Sequence, residues 1–599
     1  MTRTLLSLCV LTLFITGIAA VAQENRLRDR LRAFFEREPV YAGVEGEIDG
    51  KIQSRTPGGV FRPPMIVTER RDDGSHHELA DTVSAYQEEA LELFKKITAA
   101  EWEAMTTGNA AAFDQLADAK LQWAKYHSDK EMYVKIKDLR SKVNFNPVYN
   151  RAAEQMEKEC AKNQLPEDLQ KRMIDMSSEI EKVFQTHRPR LDGKEYSNND
   201  LLEMIAAETD SAKRKAIWEA LKQVGEEVHE KIIALAKVRN EAAQKLGYKN
   251  YWDMQIVFQD YQPEELLKIF EDLEKLTRPL FEKMKAELDA ELSKRLNVPV
   301  DQLKPWHYDN PFFQQAPPSQ EVDPNDFYRN KTKEEIIDIA INYYKHIGLP
   351  YEKVLAKSDM FEREGKNQHA FSTDMDTLGD VRNLCNVKPT AEWMDTVLHE
   401  GGHGVYSLGH DQTLPFNLRD AAHIFTTEGV AMFFGAKARD PQWMEQFAGV
   451  QAREARRVSQ ALTKQRIREQ LIFCRWTIVM LNFEKALYEN PDADLKSLWW
   501  DMVGQYQLLS RPTEKGSELA DWASKPHFVI APVYYHNYQM GELFAAQLRA
   551  TLGTRENALL GRRLQERVFA PGMRYEWQEF VRRATGRPLS PKYFARELR

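Results

Sequence analysis

The chain has 599 residues, of which 42% are apolar and 29% charged, with only 28 Gly and 26 Pro. This composition excludes a collagen-like, low-complexity or wholly disordered protein. The 83 basic and 91 acidic residues give a net charge of −8, so no nucleic acid partner is predicted. A mean hydropathy of −0.58 and a single long apolar run exclude a protein with several membrane spans.

The apolar run lies at the N-terminus. Arg3 supplies a positive charge, residues 5–18 form an apolar core, and Ala20-Val21-Ala22 offers a small-residue cleavage site. This pattern predicts a signal peptide over residues 1–22 and an extracytoplasmic mature chain, periplasmic or secreted. No stable membrane association is predicted after cleavage. The alternative is an uncleaved membrane anchor, which the shortness of the run disfavours.

Beyond residue 22 the predicted elements are almost all helical. Residues 23–78 are predicted to form an N-terminal helical segment and then a polar connector with Gly and Pro. From residue 79 onward apolar residues recur three and four positions apart, which predicts one mainly α domain over 79–599. The predicted helices include Glu88–Ile97, Phe113–Tyr126, Asn150–Lys162, Asp168–Phe184, Leu201–Arg239, Glu264–Leu292, Lys333–Ile347, Ala391–Leu398 and a series from Met444 to the C-terminus. A loop is predicted at Pro311–Pro324, and short strands near Asn367–Met375.

The mature chain has three widely spaced cysteines, Cys160, Cys385 and Cys474. They match no metal-binding spacing and cannot form a disulfide framework. We expect buried free thiols; one disulfide with an odd thiol left over is the alternative.

The clearest chemical signal is His399-Glu400-Gly401-Gly402-His403, which follows a helical pattern. Positions i and i+4 of a helix lie on one face, so both imidazoles can bind the same zinc ion. The intervening glutamate is placed to activate the attacking water. Two adjacent glycines are unfavourable in a plain surface helix and indicate that another backbone approaches closely. The alternative is a surface helix with two solvated histidines.

A zinc site of this kind requires a third protein ligand. Glu428 stands 25 residues after His403, at the start of an apolar segment that predicts a second helix. We favour Glu428 over Asp420, His410 and His423. Two imidazoles and one carboxylate leave one coordination position open, as in zinc hydrolases.

These motifs resemble those of the peptidyl-dipeptidase A family of zinc metallopeptidases. The resemblance runs from about residue 79 to the C-terminus, strong at the motifs and thin between them. Residues 396–403 (T-V-L-H-E-G-G-H) match the family's zinc helix, and Pro415 and Arg419 match the segment that leads to its ligand glutamate, here Glu428. The resemblance implies a two-lobed, mainly α zincin with a deep central cleft and a small amount of β-strand.

The resemblance also assigns residues to substrate binding. His369 and Ala370 correspond to a His-Ala pair on a strand that holds the substrate backbone. Lys525 corresponds to the cation that receives the substrate's C-terminal carboxylate, with Tyr535 beside it. The family's glutamine at this carboxylate has no clear match near residues 306–308.

Two further residues are implied in catalysis. His527 follows Lys525 in the family's Lys-x-His motif, and Tyr538 ends its Tyr-x-x-Tyr motif, one residue further from the histidine than in the family. Both are expected to donate hydrogen bonds to the oxyanion beside the metal. The structural alternative is that the tyrosines are core aromatics.

Three departures from the family pattern have consequences. Met432 stands where the family has an acidic partner of its zinc ligands. The positions of two chloride-binding arginines hold Val503 and Asn537, so no chloride activation is expected. Glu428 lies one residue further along than the family ligand, a spacing closer to that of thimet-type oligopeptidases.

The sequence therefore predicts a zinc-dependent peptidase acting on peptides, most simply a peptidyl-dipeptidase (dipeptidyl carboxypeptidase). Glu400, His527 and Tyr538 are the expected catalytic residues, and His399, His403 and Glu428 the expected zinc ligands. One alternative is a thimet-like oligopeptidase on short peptides. The other alternative is a catalytically inactive relative that binds peptides. The absence of an acidic residue at position 432 is consistent with it, whereas the intact Glu400 argues against it.

Overall fold

The computed structural model describes residues 75–142, 146–553 and 556–599. Within them the mainly α fold is confirmed, because helices dominate and strands form only two small sheets. The predicted signal peptide, residues 1–22, and nearly all of the segment 23–78 lie outside the described residues. No helix in the described part of the chain is both long and apolar enough to span a bilayer.

The first half of the described chain is a succession of helices around one short hairpin. The elements are α1 (Ser75–Thr107), α2 (Ala110–His127), α3 (Lys130–Lys142), α4 (Pro147–Lys162), α5 (Glu167–Thr186), β1 (Arg190–Leu191), β2 (Lys194–Glu195), α6 (Asn198–Ala207), α7 (Ser211–Lys245), α8 (Tyr251–Phe258), α9 (Pro263–Leu296), α10 (Lys333–His346) and α11 (Tyr351–Leu355).

The second half contains the second hairpin and the helices that carry the predicted site. The elements are β3 (Phe371–Asp374), β4 (Val381–Leu384), α12 (Ala391–Leu408), α13 (Ile424–Gly435), α14 (Pro441–Phe447), α15 (Ala452–Glu489), α16 (Leu495–Gln507), α17 (His527–Ile530), α18 (His536–Leu552), α19 (Ala558–Leu564), α20 (Trp577–Thr585) and α21 (Pro591–Glu597).

The helix predicted over Leu201–Arg239 is wrong as a single element, because the chain breaks between α6 and α7. Asp210 adopts an extended conformation there, and its side chain accepts a hydrogen bond from the backbone N–H of Lys213. This N-cap satisfies a backbone donor that would otherwise be unpaired at the start of α7. The apolar spacing is helical on both sides of the break, so periodicity does not reveal it.

The predicted strand near Asn367–Met375 is present but shorter. β3 pairs antiparallel with β4, and the register places Phe371 opposite Leu384 and Asp374 opposite Val381. His369 and Ala370 lie immediately before β3, outside the strand. The edge of β3 that faces away from β4 has no partner strand among the described residues.

The two largest apolar clusters among the described residues hold most of the helices together. The larger contains buried side chains from α5 to α21, including those that flank the zinc-binding motif on α12. The smaller is built from α1, α3 and α4 together with Leu414, Phe416 and Leu418. Those three residues lie in the connection between α12 and α13, so the N-terminal helices pack directly on the loop that joins the two site helices.

The cysteine prediction is confirmed for the described residues. Cys160, Cys385 and Cys474 are each buried and unpaired. Their thiols therefore contribute to the core as small apolar groups.

Candidate active site

Helix α12 carries the first two predicted ligands on one face. It begins at the N-cap Thr390, whose side chain accepts a hydrogen bond from the backbone N–H of Trp393. A Cβ at Gly402 would come within 3.0 Å of the Cα of Ala431 on α13. Two residues before Ala431, a Cβ at Gly429 would come within 2.8 Å of the backbone oxygen of Gly541 on α18. The glycines therefore permit close packing of α12, α13 and α18, as the sequence indicates for the zinc motif.

The three predicted ligands converge in the folded chain. The Nε2 atoms of His399 and His403 are 3.2 Å apart, and Nε2 of His399 is 3.9 Å from Oε2 of Glu428. One ligand atom from each residue lies within 4.8 Å of the others. Two imidazole nitrogens and one carboxylate oxygen at this spacing match the donor set of a catalytic zinc site. The residues present therefore fit a zinc ion.

The three alternative ligands lie elsewhere in the described structure. His423 is the N-cap of α13, and its Nε2 contacts the backbone oxygen of Gln259. His410 follows the end of α12, and burial lowers the pKa of its imidazole to about 3. Neither these two nor Asp420 joins the metal-binding group found among the described residues.

Thr427 provides a hydrogen-bond partner for a zinc ligand, the role for which the sequence offers no acidic residue at Met432. Nδ1 of His403 is 2.6 Å from Oγ1 of Thr427. With Nε2 directed to the other two ligands, Nδ1 carries the proton and donates it to the hydroxyl, which sets the tautomer and the ring plane. Thr427 directly precedes Glu428, so one helical turn supplies both a ligand and the partner of another ligand. That adjacency is the sequence signal that could have identified it.

Glu400 lies in a setting suited to proton transfer. It is only 8% exposed, and the backbone N–H of Ser372 on β3 donates to its carboxylate. Burial and then the nearby Glu428 carboxylate raise the pKa of Glu400 to about 8, while the bond from Ser372 opposes the rise. A bound metal cation would also oppose it. Without the metal, the Glu400 carboxyl therefore holds its proton more tightly than a solvent-exposed glutamate does.

Tyr538 lies on α18 near Glu428, and His527 is the first residue of α17. Burial and then the charges of Tyr534 and Glu428 raise the pKa of Tyr538, which keeps its phenol protonated. The ring of Tyr538 is 5.4 Å from that of Tyr535, which is 4.8 Å from the imidazole of His527. The predicted oxyanion donors therefore cluster with the predicted substrate-binding tyrosine.

Comparison with known protein families decides the class of this site. The model of peptidase family M3 matches residues 204–599, about two thirds of the chain, including every predicted site residue. The chain belongs to peptidase family M3. No curated protein matches the sequence. The zinc metallopeptidase class is thereby confirmed, and zinc is the metal of the site. The narrower peptidyl-dipeptidase A assignment stays a prediction.

Lys525 of this M3 peptidase is a buried lysine whose hydrogen-bond and ring contacts are all with neutral side chains. It is 7% exposed, and its Nζ donates to Oε1 of Gln314 at 2.8 Å. It also lies 5.5 Å from the ring centres of Phe312 and Trp476 and 5.4 Å from that of Tyr535. In the described part of the chain no carboxylate lies within ion-pair distance of it. Burial and then Lys222 lower the pKa of Lys525 to about 7.

Gln314 is a second residue of this M3 peptidase, after Thr427, that the sequence does not identify. It lies in the predicted loop Pro311–Pro324, and its Oε1 also accepts a hydrogen bond from the Tyr535 hydroxyl at 3.4 Å. The amide therefore joins Lys525 and Tyr535 into one polar group. It is separated from Lys525 by 211 positions, and no local pattern marks it.

A second buried lysine, Lys222, lies against the ring of Phe312, which Lys525 also contacts. Nζ of Lys222 is 3.2 Å from the centre of Phe312 and 2.5 Å from Oδ1 of Asp521. Oδ2 of Asp521 accepts from Nε1 of Trp499 at 2.7 Å. Lys222 thus has an internal counter-ion, and the neighbouring Lys525 lacks one.

His369 and Ala370 lie where β3 enters the site. His369 is half-buried, and its backbone N–H donates to Oδ1 of Asn367. Two residues beyond Ala370, Ser372 contacts Glu400. The pair therefore precedes by two or three residues a backbone contact with Glu400, and its own contact with substrate remains a prediction.

Proposed function

We propose that this M3 peptidase is a peptidyl-dipeptidase that releases dipeptides from the C-termini of peptides. The observation that carries the proposal is the environment of Lys525. A buried ammonium without a counter-ion is unfavourable, and a ligand carboxylate would supply the missing charge. Gln314 and Tyr535 offer further polar contacts to such a carboxylate.

Lys525 and Tyr538 are connected through the ring of one other tyrosine. Tyr535 separates them, with 5.4 Å from Nζ of Lys525 to its ring centre and 5.4 Å from there to the ring of Tyr538. Tyr538 in turn lies near Glu428. An extended dipeptide spans about 7 Å, and its terminal oxygens and the scissile carbonyl add to that reach.

The chain's own residues have separate tasks in the proposed hydrolysis. Glu400 accepts a proton from the attacking water and then donates it to the leaving amine nitrogen. Tyr538 and His527 donate hydrogen bonds to the oxyanion that develops on the scissile carbonyl. When bound, zinc supplies Lewis-acid polarisation of that carbonyl and lowers the pKa of water. Lys525 holds the C-terminal carboxylate, and the backbone at His369 and Ala370 aligns the peptide with β3.

The test compares a free-acid peptide with its C-terminal amide. We expect the wild-type enzyme to prefer the acid by about 100-fold in kcat/KM, because one buried charge contact contributes roughly 2–5 kcal/mol. Lys525→Met should lose that preference by losing activity on the acid. Product masses from both peptides provide the measurement. Lys515→Met, at an exposed lysine, is the control.

Equal cleavage of acid and amide by the wild-type enzyme would instead favour the second candidate, an oligopeptidase that cuts within short peptides. The spacing between His403 and Glu428 favours this candidate. Internal cleavage does not require a carboxylate at Lys525, so Lys525→Met would then leave kcat/KM nearly unchanged.

We also propose that the enzyme acts outside the cytoplasm, in the periplasm or as a secreted protein. The signal-peptide pattern over residues 1–22 supports this location. Mass spectrometry of the protein recovered from its native compartment should give an N-terminus at Gln23. A full-length chain that begins at Met1 would contradict it.

Turnover should be nearly independent of chloride. Asn537 is fully buried with its amide bonded to Gln259 and Tyr261, and Val503 is a buried aliphatic residue. Neither can balance a buried anion, and Lys222 already has Asp521 as its counter-ion. Rates in acetate and chloride buffers of equal ionic strength should agree within about twofold, because general screening is then the same. A tenfold rise with chloride would show that an anion site exists elsewhere.

A further inference from the structure

Gln259, the residue at the C-terminal end of α8, connects two parts of the active site. Its side-chain Nε2 donates to the backbone oxygen of Val533 at 2.8 Å. Its Oε1 accepts from Nδ2 of Asn537 at 2.8 Å. Its backbone oxygen contacts Nε2 of His423. Only a side chain with both a donor and an acceptor can make the first two contacts at once.

The contact with Val533 holds a strained turn. Val533 has a φ of 54°, in the left-handed region that a β-branched residue rarely adopts. Its N–H donates to Oε1 of Glu484 at 2.7 Å, and its C=O accepts from Gln259. Such a conformation persists only where the surroundings hold it. Tyr534 and Tyr535 follow directly, so the direction of both side chains depends on this turn.

The contact with Asn537 holds the other end of the same segment. The Asn537 amide is enclosed between Gln259 and the hydroxyl of Tyr261, which donates to its Oδ1 at 2.8 Å. Asn537 immediately precedes Tyr538, the proposed oxyanion donor. Gln259 therefore braces both ends of the segment Val533–Tyr538, which we term the tyrosine segment.

The third contact of Gln259 reaches the start of α13, the metal-binding helix that carries Glu428. His423 is the N-cap of α13, and the helix it starts carries Thr427 and Glu428. The same residue that braces the tyrosine segment thus touches the start of the helix that supplies a zinc ligand. The relative placement of oxyanion donor and metal group depends on both contacts.

We propose that Gln259 is a positioning residue that sets the tyrosine segment, and with it Tyr538, against the metal-binding helix. The hydrogen bonds of Gln259 described above run to Val533, Asn537 and His423, none of which is a predicted metal ligand. This inference rests on the proposed role of Tyr538, and it holds whether the enzyme releases dipeptides or cuts internally.

The primary test is Gln259→Met, which keeps the side-chain length and the backbone oxygen that meets His423 but removes both amide contacts. We expect kcat to fall tenfold or more while KM changes less than about twofold, because an oxyanion contact acts in the transition state. Zinc content after dialysis and the melting temperature should stay near those of the wild-type holoenzyme. Gln244→Met, at an exposed glutamine on α7, is the matched control.

A double-mutant cycle separates positioning from a general structural role. Glycine adopts the backbone conformation of Val533 without strain, so Val533→Gly lessens the need for the Gln259 contact. In that background Gln259→Met should lower kcat less than it does in the wild-type background. If Gln259→Met fails to fold, Gln259→Glu offers the same size and keeps the acceptor for Asn537 but loses the donor to Val533, and kcat should again fall.

Several outcomes would overturn the inference. They are an unchanged kcat in the folded variants, a KM rise that accounts for the loss, a loss of zinc, or an equal loss of kcat in the wild-type and Val533→Gly backgrounds. The assay uses whichever peptide the wild-type enzyme cleaves. Failure of the dipeptide proposal is read separately, from the comparison of acid and amide peptides.

Discussion

Glu400→Gln should lower kcat by about 10³-fold while zinc content and peptide affinity remain near those of the wild-type enzyme. The amide has nearly the same size as the carboxyl but cannot accept the proton of the attacking water. The variant leaves His399, His403 and Glu428 unchanged, so their ligand atoms should remain within 4.8 Å of one another and still bind zinc. Measurement of kcat, zinc per chain and peptide affinity by titration calorimetry tests each part.

The control for this variant lies on the same helix. Glu392→Gln changes an exposed glutamate in the first turn of α12 and should leave kcat within about twofold. If Glu400→Gln hydrolysed peptides at nearly the wild-type rate, Glu400 could not be the general base. If the wild-type protein itself bound zinc and peptide but cleaved nothing, the inactive peptide-binding alternative would be favoured.

Glu428→Ala should weaken zinc binding by more than about 100-fold. Removing a residue that only orients a zinc ligand typically weakens metal affinity by about 10- to 100-fold, so the loss of a ligand itself should exceed that range. Only two imidazoles would remain on the metal, and the substitution would also leave a small cavity beside Gly541. Metal analysis after dialysis measures the loss directly. Because zinc binds the folded state, a chelator should lower the melting temperature of the wild-type protein and hardly affect that of the variant.

Asp420→Asn provides the comparison for the zinc ligand. Asp420 is one of the alternative third ligands, and it lies outside the metal-binding group, so its variant should keep full zinc. Full zinc in Glu428→Ala would place the third ligand elsewhere, and Asp420 and His423 would then be tested in turn.

The chemical class of the site follows from short-range patterns. His399 and His403 are one helical turn apart, and helical geometry alone puts both imidazoles on one face. Glu428 is identified by its place in a second helical segment, and the structure brings it to 3.9 Å from His399. The mainly α architecture is predictable for the same reason, because it depends on apolar spacing within each segment. Local periodicity does not locate chain breaks, and the cap at Asp210 therefore interrupts a segment whose spacing predicts a continuous helix.

The surroundings of the site depend on contacts between distant segments. Gln314 reaches Lys525 from a loop without regular structure, 211 positions away. Gln259 reaches Val533 across 274 positions. Such contacts have no sequence signature, because any polar side chain on a loop can make or miss them depending on how the helices pack. Thr427 is the exception, since it lies next to Glu428 on the same helix and acts on His403.

The sequence therefore identifies a zinc-binding motif on a helical scaffold and predicts Glu400 as its general base, because those features are encoded within one or two helical turns. Tertiary packing decides how the site treats its substrate. Lys525 is buried with neutral partners, whereas Lys222, against the same ring of Phe312, is paired with Asp521. Which of two buried lysines has an internal counter-ion is set by which segments meet around it, and the free energy of a buried charge depends on those neighbours.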